Sequence, residues 1–371
     1  MRTLALAAAA TAATLAFLTP VAPFAAVGSS VALVQPDGLT LPAPKAGRAR
    51  PLVVVLADNA GAETTDFAVP YGVLKESGVA EVRSVATAAG PIQLMPSLKI
   101  LADQTTGAFD RAEPAGADII IVPAQMKPKS PELAAWLRAQ AAKGAVIVSI
   151  CEGARVLAHA GLLEGRRATT HWSALKGLAK AYPDTTWVRD RRYVQDGPII
   201  STTGVTASIP ATLALVEAIA GRPTARATAD RVGVAEWGPA HRTADFQVTT
   251  ADYGHGLWTL AAFWAHETVE APVANGTDEV ALALRTDTWS RTFRTRVVTT
   301  RPGQAAVRSR RGLAILPDAE PRAGRHVLAA HPTPAAEIDG SLAAIGKRYG
   351  PATARLAMLG LEYNTPRAGA R

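Results

Sequence analysis

Residues 51–225 predict an α/β fold, an open and mostly parallel sheet with helices on both faces. Two observations carry this. LVVVLA (52–57), DIIIVPA (118–124) and AVIVSI (145–150) are short apolar runs of the kind found in strands buried on both faces. Helical patterns alternate with these runs, as parallel βαβ units require.

The elements follow in order. AVPYGVLKESG reads as a helix that stops at Gly78, and EVRSVAT (81–87) as an alternating strand. SPELAAWLRAQAAKG carries an N-cap serine, Ser130, then Pro131 at the first helical position and a glycine stop. EGARVLAHAGLL is the helix after the third apolar run. RRYVQDGPIISTTG places Asp-Gly between two apolar runs and predicts a hairpin. ASIPATLALVEAIAG closes the unit as a helix.

The remainder, 226–371, is a C-terminal α/β region with a weak internal repeat. EVRSVATAAGPIQLMPSLKILAD (81–103) echoes RTRVVTTRPGQAAVRSRRGLAILPD (294–318), and DEVALALRTDTWSRTF supplies helix sequence ahead of the second copy. The expectation is a degenerate, truncated half-copy without a cysteine, packed on the first unit. Chance similarity of two strand pairs is the alternative. AAEIDGSLAAIGKRYGPATARLAMLGLEY ends the chain with helical patterning.

The 371 residues suffice for two domains, and 48% hydrophobic content suffices for packed cores. The net charge of +8 suits nucleic acid or an anionic membrane surface. No Lys/Arg run is interleaved with aromatics, so a nucleic-acid partner is not expected. Residues 1–28 have the layout of a secretory signal: Arg2, an apolar run from Leu4 to Leu18, then Pro20 and small residues up to Ala26-Val27-Gly28. Cleaved, this is a signal peptide; uncleaved, it is a membrane anchor and the chain's one expected membrane contact. Either way the folded part is expected outside the cytoplasm. Residues 29–50, rich in Pro, Gly and Ala, read as a linker.

One cysteine, Cys151, stands in the whole chain, at the carboxyl end of a strand where ligands bind in open α/β sheets. A tight strand-to-helix turn there lifts the thiol out of the sheet and aims the Glu152 N–H at a developing oxyanion. Gly153 allows close backbone approach. The helix start is expected to lower the thiol pKa. The bland reading is a buried small residue. Neither a cofactor nor a metal is expected: ADNAGAETTD after the first strand has only Gly61, and seven scattered His form no ligand cluster. WGPAHRTADFQVTTADYGHGLW (237–258) is read as packing or a pocket rim.

SICEGARVLAHAGLLEGRRATTHW, followed by YVQDGPIISTTGVTASIPATLALVEAIAG, resembles the DJ-1/PfpI superfamily, which is class I glutamine amidotransferase-like. The nearest branch holds the isonitrile hydratases and the sensor domains of AraC-type regulators. The resemblance covers 51–225. It implies that Cys151 is the elbow nucleophile and that Asp66, in TDFAVP, is the acid that hydrogen-bonds it. It also implies that His171, in ATTHW, is the histidine near the cysteine. Glu152 follows the nucleophile, where a small residue or Thr is common. In VPAQM, Ala124-Gln125 replaces Gly-Gly, which puts the second oxyanion donor in doubt. A carboxyl after the first strand can donate to a thiolate or act as general base, and His171 can shuttle a proton. The alternatives are Asp66 as a helix N-cap partner and His171 as a structural histidine; Glu63 is a weaker acid candidate and His159 is structural. The resemblance implies a cysteine enzyme acting on a small-molecule substrate with an electrophilic carbon: isonitrile hydration, addition to an oxoaldehyde, or amide hydrolysis. A non-catalytic sensor and a redox-responsive thiol protein are the alternatives. Members often dimerise, so a homodimer is an open expectation.

Overall fold

A computed structural model describes residues 38–364; the apolar run Leu4–Leu18 and the cleavage site lie outside the described residues. The chain order is β1 (Leu52–Ala57), α1 (Thr64–Ser77), β2 (Glu81–Ala86), β3 (Pro91–Gln93), β4 (Lys99–Leu101), β5 (Gln104–Thr105), α2 (Thr106–Ala112), β6 (Ile119–Val122), α3 (Pro131–Ala142), β7 (Val146–Ser149) and α4 (Gly153–His159). Next come β8 (Arg167–Ala168), α5 (Leu175–Ala181), β9 (Thr186–Trp187), β10 (Tyr193–Asp196), β11 (Ile199–Thr202), α6 (Ser208–Ala220), α7 (Arg222–Val232) and α8 (Thr250–Ala261). The remainder is β12 (Glu267–Pro272), α9 (Glu279–Ser290), β13 (Thr295–Thr300), β14 (Val307–Arg308), β15 (Ala314–Leu316), β16 (His326–Val327), α10 (Ala336–Tyr349) and α11 (Pro351–Leu361).

The main sheet has the order β10-β11-β7-β6-β1-β2-β5. All neighbours are parallel except the β10–β11 hairpin, where Asp196 pairs with Ile199 and the turn falls on Gly197-Pro198. Its central strands β1, β6 and β7 are wholly buried, which explains their unbroken apolar runs. One apolar layer, with Phe109, Trp136, Leu137 and Leu157, covers one face. The opposite layer, with Phe67, Leu74, Leu213 and Leu215, runs on into Val269, Leu282, Trp289 and Ile345, so the C-terminal region shares a core with the first. Residues 38–50 are tied down rather than loose. Lys45 donates to the Ala115 and Ala117 carbonyls, and Arg48 pairs with Glu113 and Asp118.

The repeat seen in the sequence is a repeat in space. β12–α9–β13 and the β14/β15 hairpin follow β1–α1–β2 and the β3/β4 hairpin at a constant separation of 215 positions (267 − 52, 278 − 63, 318 − 103). Glu63 caps α1 and Asp278 caps α9. Ser84 N–H and Oγ donate to Asp103 at 2.9 and 2.8 Å; Thr299 N–H and Oγ1 donate to Asp318 at the same distances. β4 and β15 pair antiparallel, with Ile100 opposite its equivalent Ile315. A pseudo-two-fold axis thus passes through this pair and joins the hairpins in one sheet of order β14-β15-β4-β3. The second copy has a three-stranded parallel sheet, β13-β12-β16, and no strand bearing a cysteine.

Helices α1 and α9 pack face to face across this axis. Gly72 lets them close, because a Cβ there would lie 2.3 Å from Val280 Cγ2 and 2.7 Å from Glu279 Oε1. Gly72→Leu is expected to lower the unfolding free energy by about 1–3 kcal/mol through overpacking. Gly254→Ala, in α8 with open space around it, is expected to raise it by about 0.5–1 kcal/mol. Urea unfolding of both variants checks the contrast; equal effects would show that the helix seam is not tight.

Candidate active site at Cys151

The carboxyl ends of β1, β6, β7 and β11 converge on Cys151. This residue is 6% exposed and has a left-handed backbone, φ 56°. A non-glycine residue held there stores strain, so its surroundings must fix it. They do so on three sides. Cys151 N–H donates to the Thr203 carbonyl at 3.2 Å, Thr170 Oγ1 donates to the Cys151 carbonyl at 2.9 Å, and Gly153 N–H donates to Ile150. Gly153 is needed because a Cβ would sit 2.1 Å from the Val122 carbonyl oxygen. The strand-to-helix elbow is therefore present, with Glu152 at the N-cap of α4.

Asp66 lies in the first turn of α1 and is fully buried. It is not the N-cap: Glu63 is, and its Oε2 accepts from the Asp66 N–H at 2.6 Å. Asp66 Oδ2 accepts from the Ala124 N–H at 3.2 Å, which ties α1 to the end of β6. Its other oxygen, Oδ1, is buried and has no hydrogen-bond partner among the described residues. The Ala124 N–H that would serve as a second oxyanion donor is thus committed to Asp66. The Gln125 side chain fills the loop, accepting from Asp58 N–H and donating to the Leu56 and Pro123 carbonyls.

Residues distant in sequence complete the site. Arg291, just after α9, reaches Glu63 Oε1 at 3.0 Å, Asp287 at 3.0 Å and the Gly360 carbonyl at 2.7 Å. His171 Nδ1 is 2.7 Å from Ser173 Oγ, and its Nε2 is 3.9 Å from Glu362 Oε2. Glu362 follows α11 and is buried. It accepts from the Gly204 N–H, and its Oε1 is 2.8 Å from His241 Nε2. The 237–258 stretch therefore supplies His241 to this cluster, while Trp237 packs elsewhere and bonds Glu217. The Glu152 side chain pairs with Arg155 at 2.7 Å, along the elbow helix. His159 is exposed.

Burial pushes Glu63 and Asp66 up to about 7 and Asp287 up to about 8. Arg291 opposes all three rises and is itself held charged: burial works against it, and Asp287 and Glu63 outweigh burial. Burial also pushes the Cys151 thiol well up, reinforced by the charges of Asp66, Glu152 and Glu63 and opposed by Arg291. This corrects the expected lowering by the helix start. The end of a seven-residue helix is outweighed by desolvation and three nearby acids. Burial lowers His171 against the pull of Glu362.

No group of three or more His, Cys, Asp or Glu among the described residues could hold a metal ion. A cleft of about 590 Å³ between Gly38–Pro42 and the sheet edge is lined by Gly144, Val146 and Pro198, at the end of β7 opposite Cys151. It takes no part in this chemistry.

Comparison with known proteins agrees with the geometry. Residues 51–218 match the DJ-1/PfpI family. The transcriptional regulator CdhR of Pseudomonas aeruginosa is 40% identical over 102 residues, 27% of this chain and 30% of that protein. Isonitrile hydratase of Pseudomonas putida is 41% identical over 93 residues, 24% of this chain and 39% of the enzyme. The chain thus spans about a third of the length of these two relatives. An uncharacterised Streptomyces lividans protein is 35% identical over 136 residues, 35% of this chain and 94% of that one. The crystal structure of a DJ-1 superfamily protein from Salmonella typhimurium is 26% identical, covers 50% of this chain and 99% of its own, and superposes with a TM-score of 0.44.

Two outcomes test the electrostatics. Alkylation of Cys151 by iodoacetamide is expected to titrate above the free-thiol value of about 8.5, and Asp66→Asn is expected to lower that pKa by removing a negative charge. A wild-type value below the free one would overturn the buried-thiol account. The raised carboxyls also set a stability slope. A folded carboxyl that holds its proton to higher pH than the unfolded one loses stability as pH rises between the two values. Stability should therefore fall from about pH 4 to about pH 7 through Asp66, whose ordinary value is 3.8. Denaturant unfolding across that range should show a shallower slope for Asp66→Asn. On family match, elbow geometry and acid placement together, the chain belongs to the DJ-1/PfpI family.

Proposed function

We propose that the chain is a cysteine-dependent enzyme acting on a small carbon electrophile, with isonitrile hydration as the leading reaction. The observation that carries this is a strained, buried elbow thiol with a buried carboxyl, Asp66, near enough for its charge to push the thiol up. The similarity to isonitrile hydratase over the matched segment supports the choice of reaction.

The chemistry follows from the two protonation states. Near neutral pH the thiol is protonated and Asp66 titrates at about 7. Ionised Asp66 takes the thiol proton as sulfur bonds to the terminal isonitrile carbon, and returns it to that carbon, giving a thioimidate. Water then adds to the same carbon with Asp66 as base. The C–S bond breaks, the thiol regains its proton and the nitrogen takes one, leaving a formamide. The Glu152 N–H, at the start of α4, is the donor suited to the developing negative charge. Its side chain, paired with Arg155, has no role in this scheme. His171, whose Nε2 lies 3.9 Å from Glu362, is not the primary base in this scheme. With the Ala124 N–H committed to Asp66, the one remaining donor suits addition to a carbon that develops little oxyanion better than it suits amide hydrolysis.

The second reading, a sensor domain that binds without turnover, is favoured by the thiol's 6% exposure and by the similarity to CdhR. Export remains part of the proposal, resting on the N-terminal apolar run. A homodimer would have to use a face other than α1, which α9 occupies.

Hydration of a small alkyl isonitrile to the formamide, followed by infrared loss of the isonitrile stretch, tests the proposal. Cys151→Ala should abolish turnover. Asp66→Asn should lower kcat by about 10²–10⁴-fold, the usual worth of general acid–base catalysis, with unchanged secondary structure by circular dichroism. The rate should rise through about pH 7, where Asp66 ionises. Turnover surviving Cys151→Ala would overturn the proposal. Isonitrile binding without turnover would favour the sensor.

A further inference from the structure

The outward face of α8 and the turn after it is apolar where a solvated helix face is normally polar. Trp258 is 64% exposed, Phe263 74% and Trp264 68%, with Leu257 at 39%. They form one cluster: the Trp258 and Trp264 rings lie 6.3 Å apart, and the Phe263 and Trp264 rings 5.3 Å apart, both edge to face. Gly254 and Ala261 extend the exposed strip along the same helix face. Between Asp252 and Glu267 the sequence YGHGLWTLAAFWAH has no acidic residue. The two flanking acids are neutralised: Asp252 pairs with Arg355 at 2.8 Å and Glu267 with Arg348 at 2.7 Å. Arg294 lies against the turn and donates to the Ala265 carbonyl at 3.0 Å. The surface is thus three aromatics on an uncharged strip, flanked by two ion pairs and by Arg294.

We infer that this strip is a membrane-surface contact, with Trp258, Phe263 and Trp264 seated among the headgroups of an anionic bilayer. Trp is the residue type that favours the headgroup level of a bilayer. At 12 residues α8 lies along such a surface, and no described helix is long and apolar enough to cross one. A bilayer is favoured over a protein partner by a second observation from the same chain. Where the apolar run Leu4–Leu18 stays uncleaved it gives the chain affinity for a bilayer, and the +8 net charge complements an anionic surface in either case. About twenty residues separate that run from Gly38, a reach of up to about 70 Å when extended. A body of this size has a radius of gyration of about 20 Å. A retained segment of that length does not dictate which face meets the membrane, and the aromatic strip is what selects one.

The test uses the full chain with vesicles of phosphatidylcholine and phosphatidylglycerol carrying brominated acyl chains, which quench tryptophan only at contact. Wild-type emission should be quenched. Trp258→Phe/Trp264→Phe, which keeps the apolar strip and the fold, should lose that quench while still co-sedimenting with vesicles. Co-sedimentation of the wild type without quenching would overturn the inference, because the chain would then sit on the bilayer by another face. Equal quenching in the double variant would overturn it as well. So would self-association in the absence of lipid that Trp258→Ser/Phe263→Ser/Trp264→Ser abolishes, since the strip would then be the seat of a second copy.

Discussion

Arg291 is the charge on which the site and its surroundings depend. Asp66 and Asp287 are buried carboxyls, and the half-buried Glu63 joins them near a buried thiol. Each ion taken from water costs several kcal/mol unless it is paired, and acids that face one another make this worse. The Arg291 guanidinium meets Glu63 and Asp287 at 3.0 Å and lowers Asp66 through space. Its third nitrogen, Nη1, donates to the Gly360 carbonyl, and that fixes the turn on which Glu362 reaches Gly204 and, beyond it, His171 and His241. Arg291 belongs to the second half of the repeat, so the C-terminal region is not an appendage. It supplies the cation without which the acids of the first half could not be buried in their present arrangement.

The pseudo-symmetry shows how such a site can exist once in a molecule built on a two-fold pattern. The position equivalent to Arg291 is Glu76 (291 − 76 = 215), at the end of α1. Across the first seam an acidic N-cap, Glu63, meets an arginine from the opposite helix. Across the second, the acidic N-cap Asp278 has a second acid, Glu76, close by. That arrangement would repel, and Arg311 resolves it by reaching Glu76 at 2.8 Å and Asp278 and Glu279 at 3.0 Å. Arg311 has a side-chain exposure of 7%. One seam thus leaves Asp66 with an oxygen to spare beside a thiol. The other is filled by an ion cluster, on a copy whose described strands carry no cysteine.

The sheet, the elbow, the hairpin turn and the repeat were legible in the sequence because each is local. Buried strands show as apolar runs, Ser130-Pro131 marks a helix start, and Asp196-Gly197 signals the hairpin. Gly153 was legible for the same reason: the elbow needs close approach within a few residues of the cysteine. What was not legible is carried by pairs far apart in the chain. Arg291 and Glu63 are 228 positions apart and Glu362 and Gly204 are 158 apart, with no periodic signal linking them. Glu63 was ranked below Asp66 because crowding in one turn was visible and a distant counter-charge was not. The direction of the thiol pKa was misread on the same ground. A helix start can be read from sequence, whereas burial and the convergence of Asp66, Glu63 and Glu152 on one sulfur can be seen only in three dimensions.

A thiol pushed up beside a carboxyl near neutrality behaves differently from the thiolate that a helix N-terminus alone would produce. A preformed thiolate is nucleophilic at rest and open to oxidation. A protonated thiol, 6% exposed and held at a strained backbone, is quiet until a base removes its proton at the moment of attack. In the proposed reaction Asp66 takes that step, since burial pushes it up to about 7, where both of its states are accessible. An isonitrile carbon is the type of electrophile that rewards this pairing, since it takes the nucleophile and the proton on the same atom. The redox-sensor reading needs the opposite resting state, an exposed and ionised sulfur. The same burial that weakens that reading strengthens the case for an acid–base couple that acts only when substrate is in place.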